Sequence, residues 1–375
     1  MKKIVHIISG LQVGGAERSL FNICNSSLND SFKQYVICLG NRGYYSQKIE
    51  EIGLEIYHIN FSSWHFVKSL IKFITVLKKI SPNIIQGWMN HGNFASILAL
   101  LILNFKPIIY WNIRQSFYKN KNDLFYTKFL FLLNILFSRI PKKIIINSNI
   151  SKIQLQNFGF HVDSFKFIPN GFDSNYWVRD LSFRKLKREN LGIKNLDFVI
   201  GYVGRYHSMK NIILLLKAFE IISINLPNTK LVIIGQKEND FNKFEKQIFD
   251  RIPKNQIILL NQMYDVNKYY SLFDLFILCS VSEGFPNVLG EAMSCELCCI
   301  STNVGEASAL LQDVGLIIPV DDLDALVREI TNCIENLEIT KNMGGGARNK
   351  IIKSYSLQNT VNQYFNLYNG KVLEN

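Results

Sequence analysis

Short runs rich in Ile and Val alternate with amphipathic stretches along most of the chain. In the first half the candidate strands are KIVHIIS, QYVICLG, LEIYHIN, NIIQGWM, PIIYWNI, KIIINS and FKFIPN. Segments with helical spacing of apolar residues, such as SLIKFITVLKKI, lie between them. Strands that alternate with helices are typical of parallel sheets, because each crossover returns the chain to the same edge through a helix. The pattern predicts a doubly wound α/β domain.

A second unit of the same kind follows a polar stretch. Residues 173–196 contain no strand-like run, and the alternation then restarts with the candidate strands FVIGYVG, KLVIIG, IILLN, DLFILCS, CCISTN and GLIIPV. We therefore predict two Rossmann-like parallel-sheet domains, residues 1–172 and 197–356, joined by a linker at 173–196.

From Asp321 onward the spacing is helical, with a predicted break at the glycines 344–346 and a last helix over about 357–373. We expect this last helix to pack back on the first domain. Two parallel sheets that face each other leave a cleft at the carboxyl ends of their strands, where open α/β folds bind ligands.

Composition and charge add to this picture. The chain has 375 residues, 48% hydrophobic and 19% charged, which is typical of a folded globular protein with more than one core. The net charge of +12 is unevenly placed, since residues 1–170 hold 20 Lys and Arg against 7 Asp and Glu, while residues 171–375 hold 22 against 23. A one-sided field of this kind attracts polyanions or an anionic membrane surface.

We expect a cytoplasmic protein. The apolar part of MKKIVHIIS is too short for a signal core, and the longest apolar runs, FASILALLIL and FLFLLNILF, fall short of the roughly 20 residues of a spanning helix. Seven cysteines at irregular spacing fit reduced thiols. Because Cys295, Cys298 and Cys299 lack a fourth nearby Cys or His, no zinc site is expected.

The stretch SEGFPNVLGE, residues 282–291, directly follows the apolar run DLFILC. Pro286 suits the first turn of a helix, so Glu283 should flank the helix start and Glu291 should point the same way from within the helix. Two carboxylates beside free backbone N–H groups suit recognition of vicinal diols or anionic oxygens. The alternative is a helix cap at Glu283 with Glu291 on the surface. The backbone N–H groups in question belong to Gly284, Phe285, Asn287 and Val288.

A second group of candidate residues lies in GYVGRYHSMKN, residues 201–211. Arg205 follows the first strand of the second domain, and Lys210 lies just ahead of the helical stretch NIILLLKAF. Two cations near a helix start would neutralise a diphosphate, and Arg can do so with two parallel hydrogen bonds. A solvated basic turn is the alternative.

A third candidate is SGLQVGGAERSL, residues 9–20, after the first strand. Gly14 and Gly15 permit positive φ and a close approach of the backbone to a ligand at the next helix start. The glycine spacing differs from the dinucleotide pattern G-x-G-x-x-G, so a dinucleotide site is not predicted.

Taken together, the motifs GGAERSL, VGRYHSMKN, IPNGFD and DLFILCSVSEGFPNVLGEAM, followed by a terminal helix, resemble the family-four retaining glycosyltransferases with the GT-B fold. The resemblance covers nearly the whole chain. Each motif is only moderately specific, and their joint order carries the assignment.

The resemblance implies a nucleotide-sugar donor bound mainly by the second domain without a metal. Glu291 matches the glutamate implied to hold the ribose hydroxyls, and Glu283 matches the one implied to lie near the donor sugar. Arg205 and Lys210 match the pair implied to grip the diphosphate.

Two further segments match the family. Gly15, after Gly14, matches a loop implied to approach the donor phosphates from the first domain. NQMYDVNKYY resembles the loop near the base, with Met263 and Tyr264 as candidates for backbone contacts.

The chain departs from the family at one place. Many relatives carry a His after the fifth strand of the first domain that faces the reacting sugar, whereas this chain reads YWNIRQS there, with Arg114 near the position. A His occurs earlier, His91 in WMNHGN, and some capsule- and O-antigen-type relatives are similar in both places. Either residue can therefore meet the donor sugar, and His91 can alternatively cap the helix that follows.

The implied reaction is metal-independent, retaining transfer of a hexosyl or N-acetylhexosaminyl group from a UDP-sugar to a lipid-linked saccharide. The biological setting implied is bacterial capsule, O-antigen or lipopolysaccharide biosynthesis, and no cofactor is expected beyond the nucleotide-sugar. Glu283 is implied to orient the sugar while Arg205 and Lys210 stabilise the departing diphosphate in a front-face substitution.

The basic, aromatic segments SSWHFVKSLIKFITVLKKI and SFYKNKNDLFYTKFLFLL suit peripheral docking on the anionic inner face of the cytoplasmic membrane. A solvated basic face is the alternative. Nucleic acid is not expected, because the aromatic residues fall mostly within core-like runs. Two other possibilities are a nucleotide-sugar epimerase of the same fold, for which GGAE and WNIRQS supply no obvious acid and base, and a non-catalytic nucleotide-sugar binder.

Overall fold

The computed structural model describes residues 1–61, 66–114 and 125–371, the side chains of 125–127 excepted. The chain forms two compact units. The first consists of Met1–Gly171 with Leu357–Asn375, and the second of Phe172–Ser356.

The first unit is built on one parallel sheet of seven strands in the order β3-β2-β1-β4-β5-β6-β7. Its elements are β1 (Lys2–Ile8), α1 (Gly15–Cys24), β2 (Phe32–Cys38), α2 (Tyr44–Glu51), β3 (Glu55–His58), α3 (Phe66–Ile80), β4 (Ile84–Trp88), α4 (Met89–Ile102), β5 (Ile108–Ile113), α5 (Phe125–Leu136), β6 (Lys143–Ile146), α6 (Asn149–Asn157), β7 (Phe165–Phe167) and α14 (Leu357–Tyr368).

The second unit has a parallel sheet of six strands in the order β10-β9-β8-β11-β12-β13. Its elements are α7 (Leu181–Asn190), β8 (Phe198–Val203), α8 (Ile212–Asn225), β9 (Thr229–Ile234), α9 (Lys243–Arg251), β10 (Ile257–Leu260), β11 (Leu275–Leu278), α10 (Asn287–Ser294), β12 (Cys298–Thr302), α11 (Ala307–Leu311), β13 (Leu316–Ile318), α12 (Leu323–Glu335) and α13 (Leu337–Ser354).

Every candidate strand of the sequence forms a strand, and the prediction of two parallel-sheet α/β units is confirmed. The strands are apolar on both faces because helices cover both sides of each sheet. Apolar residues pack as two clusters in each unit, one on either side of the sheet.

His6 is a polar residue within the otherwise apolar, buried run at positions 4–8 of β1. The indole Nε1 of Trp88 donates to Nδ1 of His6 at 3.2 Å, so the proton of His6 is on Nε2, which lies 2.9 Å from Oε1 of Gln34. Burial lowers the pKa of His6 to about 4, although the hydrogen bond to Gln34 opposes the shift. His6 is therefore neutral at pH 7.

The last helix, α14, packs on the first sheet. Tyr110 donates from its hydroxyl to the carbonyl of Leu367 at 3.0 Å, and Asn112 donates to the hydroxyl of Tyr364 at 2.7 Å. Tyr364 and Tyr368 belong to the same buried cluster as the side chains of β1 and β2. The helix is thus part of the first unit although the whole second unit separates it in sequence.

The structure differs from the prediction at the glycines 344–346, where no break occurs. Helix α13 runs from Leu337 to Ser354 through all three. A Cβ at Gly344 would overlap the carbonyl of Glu296, so the glycine permits close packing of the helix against the turn before β12. Tertiary packing outweighs the low helix propensity of glycine here.

The segment 173–196, which we expected to be a linker, groups with the second unit. It contains α7, whose Arg188 is almost fully buried and donates to the carbonyl of Leu272. In the described part of the chain, no helix is long and apolar enough to cross a membrane.

Candidate functional site

Three of the candidate residues follow strands at the switch point of a sheet, where the order of strands reverses. In the second unit the switch point lies between β8 and β11, and in the first between β1 and β4. Ligands of open α/β sheets bind outside the carboxyl ends of the strands at such points. Glu283 and Arg205 follow β11 and β8, and His91 follows β4.

Lys210 and Glu283 come together at the carboxyl ends of β8 and β11, a region we call the carboxyl edge of the second sheet. Nζ of Lys210 lies 2.5 Å from Oε1 of Glu283, and the hydroxyl of Ser280 donates to the same oxygen at 2.7 Å. The side chains of Lys210 and Glu283 are 24% and 14% exposed. Two hydrogen bonds and partial burial restrict the rotation of the Glu283 side chain, so the ion pair is held in place.

The backbone around Lys210 is fixed by a short 3₁₀ turn, Ser208–Lys210. His207 accepts from the N–H of Met209 at its start, and Asn211 at its end has left-handed angles, φ 49° and ψ 47°, which Asn tolerates better than most residues. The amide of Asn211 donates to Asp321 at 2.5 Å. Lys210 is therefore presented at the start of α8 by a locally specified turn.

Arg205 is exposed and lies one residue beyond Gly204 at the end of β8. A Cβ at Gly235, which has a φ of 100°, would overlap the carbonyl of Gly204. The chain after β9 thus approaches this turn closely, and glycine is required by both space and backbone angle. Arg205 lies on the same carboxyl edge as Lys210.

Glu291 is buried, contrary to the alternative of a surface carboxylate, with a relative exposure of 2%. The hydroxyl of Tyr270 donates to Oε2 of Glu291 at 2.8 Å. The residue at the N-terminal boundary of helix α10 is Pro286. Glu283 is therefore not the capping residue of this helix. The burial of Glu291 and its bond from Tyr270 hold the carboxylate in one position at the start of the second half of α10.

The amides expected to hold oxygen atoms surround the start of α10. Asn287 and Val288 are the first residues of the helix, where backbone N–H groups have no partner within the helix. Gly284 and Phe285 precede it, and the ring of Phe285 is 7% exposed in the core. Only the backbone of Phe285 is therefore available for a ligand.

The loop after β12 supports this segment and was not found by sequence reasoning. Gly305, with a φ of 53°, packs against the carbonyls of Glu283 and Gly284, and the N–H of Glu306 donates to the carbonyl of Gly284 at 3.0 Å. The signal in the sequence is TNVGEAS directly after a predicted strand, a glycine where a chain must turn back sharply.

Met263 and Tyr264 lie in the loop after β10, at the same edge of the sheet two strands from β8. Met263 packs partly against the core, whereas Tyr264 is 58% exposed. Both residues therefore lie at the same edge of the sheet as Lys210 and Glu283.

In the first unit, Gly14 and Gly15 differ from expectation. Neither has a positive φ, and Gly14 is extended, with φ −167°, at the N-terminal boundary of α1. A Cβ at Gly14 would overlap the carboxylate of Glu17 in the first turn. The carboxylate of Glu17 therefore lies close to Gly14, and Gly14 does not adopt a left-handed angle.

Arg114 is the centre of a hydrogen-bond network of the first unit. Its guanidinium donates to Asn112 at 3.0 Å, to Ser19 at 3.0 Å and to the hydroxyl of Tyr364 at 2.8 Å, and it also donates to Asn170. These partners lie on β5, α1, α14 and the segment after β7. With most of its donors engaged, Arg114 is suited to hold these elements together.

His91 lies in the first turn of α4, whose N-terminal boundary is Trp88, so His91 is not the capping residue. Burial lowers its pKa, which keeps the imidazole neutral at pH 7. Met89, two residues before it, has a φ of 59°, an uncommon value for a residue with a side chain. Such backbone strain is often found near functional sites.

Among the described residues, no group of His, Cys, Asp or Glu side chains could hold a metal ion. All seven cysteines are free and buried.

A solved structure with closely similar architecture is that of HepE from Anabaena, in complex with UDP and glucose. It superposes with a TM-score of 0.84 at 20% sequence identity, over 99% of this chain and 100% of that chain. Two doubly wound parallel-sheet units of this kind define the GT-B fold of glycosyltransferases.

The sequence comparisons lead to the same class. Residues 13–176 match the family described as Glycosyltransferase Family 4, and residues 183–350 match Glycosyl transferases group 1. A UDP-Gal:alpha-D-GlcNAc-diphosphoundecaprenol alpha-1,3-galactosyltransferase of Escherichia coli is 24% identical, over 98% of this chain and 96% of its own length. The capsular polysaccharide biosynthesis glycosyltransferase CapM of Staphylococcus aureus is 26% identical, over 81% and 80%. The chain belongs to the family-four glycosyltransferases.

Proposed function

We propose that this glycosyltransferase moves a sugar from a UDP-sugar to a lipid-linked saccharide, with retention of configuration, during assembly of a bacterial surface polysaccharide. The observation that carries the proposal is the carboxyl edge of the second sheet, where Lys210 pairs with Glu283 and Tyr270 holds the buried Glu291. The UDP and UDP-glucose complexes of HepE support the donor. The E. coli relative, named for a diphosphoundecaprenol-linked acceptor, supports the acceptor.

The donor is held by groups of complementary chemistry. Arg205 and Lys210 bind the diphosphate, Glu291 accepts the ribose hydroxyls, and the amides at the start of α10 assist. Glu283 orients the donor sugar from its fixed position beside Lys210 and Ser280. The base lies near the loop that contains Met263 and Tyr264.

The reaction is a front-face substitution. The bond from the anomeric carbon to the phosphate oxygen breaks while the acceptor hydroxyl forms its bond on the same face of the sugar, and the departing phosphate oxygen takes the acceptor's proton. Negative charge develops on the diphosphate in this step. Arg205 and Lys210 stabilise it in place of a divalent metal, and Lys210 is already held in position by Glu283 before the reaction.

Of the two candidates in the first unit, we assign the contact with the donor sugar to His91. Arg114 already donates to four neighbouring side chains, so its role is to position α1 and α14. The neutral imidazole of His91 follows β4 at the switch point and can donate or accept a hydrogen bond from a sugar hydroxyl.

The lipid-linked acceptor would be reached at the anionic inner face of the cytoplasmic membrane, where we place the protein as a peripheral enzyme. Helix α5 exposes Phe129, Leu132 and Leu136, spaced so that they share one face. Helix α3 exposes apolar residues, including Phe66 and Ile71, together with four lysines. Exposed apolar side chains among lysines complement an anionic bilayer surface. Residues 62–65 and 115–124 of the predicted basic segments lie outside the described residues.

Flotation with lipid vesicles tests the membrane part. We expect binding to vesicles of phosphatidylcholine and phosphatidylglycerol, loss of binding as salt rises to about 0.5 M, and none to phosphatidylcholine alone. The double variant Leu132→Ser, Leu136→Ser should bind less, whereas Leu186→Ser, an equally exposed leucine of the second unit, should not change binding. Equal flotation of all three proteins would contradict this assignment.

Transfer itself is tested by incubating the enzyme with UDP-sugars or GDP-sugars and an undecaprenyl-diphosphate-linked saccharide. We expect a product heavier by one sugar in mass spectrometry, an α-linkage by NMR when the donor is α-linked, and no effect of EDTA. An epimerase would change the donor sugar without an acceptor, and a passive binder would leave both substrates intact. An inverted linkage would contradict the retaining mechanism.

A further inference from the structure

The second unit has a cavity of about 610 Å³ that the proposed transfer reaction does not use. It lies at the amino ends of the strands, since Phe198 begins β8, Thr229 begins β9 and Asp274 directly precedes β11. Lys210 and Glu283 lie at the other ends of these strands. A strand of this length spans roughly 20 Å, so the cavity is separate from the carboxyl edge.

Three arginines converge on one carboxylate in the wall of this cavity. Arg184 donates to Oδ1 of Asp274 at 2.5 Å, and Arg188 donates to Oδ2 at 2.6 Å. The N–H of Val199 also donates to Oδ2, at 2.8 Å. Arg184 and Arg188 therefore occupy both oxygens of Asp274. With Arg179, the three arginines carry three positive charges against the one negative charge of Asp274, an excess of two.

Arg179 has the weakest bonds of the three. Its Nη2 is 3.8 Å from Oδ1 of Asp274 and 3.5 Å from the carbonyl of Phe273, and its buried Nε has no hydrogen-bond partner. Burial, and then the charge of Arg184, lower the pKa of Arg179. A buried donor without a partner is unfavourable unless a ligand or ion completes it.

The other acidic groups of the cavity do not remove this excess. Asp197 lies 3.8 Å from Lys230 and accepts from the N–H of Lys194, and Glu296 is half exposed and pairs with Arg348 at 3.5 Å. The rest of the wall is in large part apolar, and the exposed Lys341 adds a further positive charge. The apolar side chains are those of Leu196, Phe198, Leu226, Pro227, Ile334 and Leu337.

We propose that this cavity binds an organic phosphate monoester, with the phosphate against Arg179 and Arg184 and the organic group against the apolar wall. A phosphate monoester carries close to two negative charges at neutral pH, which matches the excess on the arginines. Guanidinium groups bind phosphate through parallel hydrogen bonds, and Nη2 of Arg179, which has only long contacts, is free to turn toward such a ligand. The volume is that of a site for an organic ligand rather than for a bare ion. The proposal does not depend on the proposed transfer reaction.

The experiment is a calorimetric titration of the full chain with phenyl phosphate. It is run in the Arg205→Ala, Lys210→Ala background so that the carboxyl edge does not contribute phosphate binding. Arg179→Gln removes the least engaged arginine. As the control, Lys185→Gln also removes one positive charge, at an exposed position of the same helix as Arg184. Circular dichroism confirms that each variant is folded.

We expect saturable binding that Arg179→Gln weakens about tenfold or more and that Lys185→Gln changes less than about twofold. Lys341→Gln, at an exposed position, should weaken binding about threefold, and it provides a second test should Arg179→Gln not fold. Vesicles that contain phosphatidic acid, tested in parallel, distinguish a lipid phosphate from a soluble one. No saturable binding of either probe, or binding that Arg179→Gln and Lys341→Gln leave unchanged, would overturn the proposal.

Discussion

Lys210 and Glu283 form an ion pair, with Nζ 2.5 Å from Oε1, at the point where β8 and β11 end. The ammonium group of lysine has three donors, and the carboxylate uses one of them. The remaining donors are available to phosphate oxygens, while the carboxylate fixes the direction of the lysine side chain. The pair is neutral overall, so the uncompensated positive charge at this edge comes from Arg205.

The first prediction concerns the stabilisation of the leaving diphosphate. Lys210→Ala and Arg205→Ala should each lower kcat about 10²–10³-fold, because each removes a positive charge that stabilises the diphosphate in the transition state. Lys217→Ala, which removes a lysine further along α8, should leave kcat within about twofold. Steady-state kinetics with a radiolabelled sugar donor measures the effect. Near-normal kcat in both site variants would remove the proposed role of the cations.

A second prediction concerns the hydrogen bond from Tyr270 to Glu291. If Glu291 accepts the ribose hydroxyls, the wild type should discriminate against a 2′-deoxy donor, and Glu291→Gln should reduce this preference about tenfold or more. Tyr270→Phe should reduce it less, because the carboxylate stays in place without its buried donor. Tyr368→Phe, which also removes a buried hydroxyl, should lower stability without altering the preference. An unchanged preference in Glu291→Gln would exclude the ribose contact.

The third prediction uses two adjacent glycines of α13. Gly344→Ala should destabilise the protein by about 1–3 kcal/mol, because the added Cβ overlaps the carbonyl of Glu296. Gly345→Ala should instead stabilise it by about 0.5–1 kcal/mol, since no atom outside its own helix lies within 4 Å of the added Cβ and alanine favours a helix. Urea unfolding measures both. The same sign for the two variants would contradict the packing of α13.

The fourth prediction is a pH dependence that arises from His6. Its folded pKa of about 4 lies below the ordinary value of 6.5, so the unfolded state binds the proton first as the pH falls. The contribution of His6 to stability is complete above pH 6.5 and decreases by about 3 kcal/mol as the pH falls to 4. His6→Gln cannot titrate, and its unfolding free energy should therefore vary less with pH in this window. Parallel pH profiles of the two proteins would contradict a buried, neutral His6.

Much of the fold follows from the sequence because strand and helix periods are local properties. The run KIVHIIS and its counterparts identify the strands, and the parallel crossover rule then places Arg205, Lys210 and Glu283 at one edge. Helix α13 is different, because the reason that it continues through glycine lies in Glu296, a residue distant in sequence. Propensity alone could not reveal that contact.

The positions of the candidate residues could be predicted only in part, because some of their partners are distant in sequence. The charged residues follow strands and are recognised from position, whereas Tyr270 reaches Glu291 from a 3₁₀ segment that no periodicity marks. The network of Arg114 includes Tyr364, which lies 250 residues further along the chain. Such partners become visible only when the chain is folded.

The measurement that tests the account most directly is a binding titration of UDP, with GDP in parallel, to the wild-type protein and the double variant Arg205→Ala, Lys210→Ala. We predict saturable binding of at least one nucleotide by the wild type and affinity weaker by about a hundredfold in the variant, since two charge-assisted contacts to phosphate are lost. Lys217→Ala serves as the matched control. Equal affinity of the wild type and the double variant, or no binding of either nucleotide by the wild type, would contradict a donor site at the carboxyl edge of the second sheet.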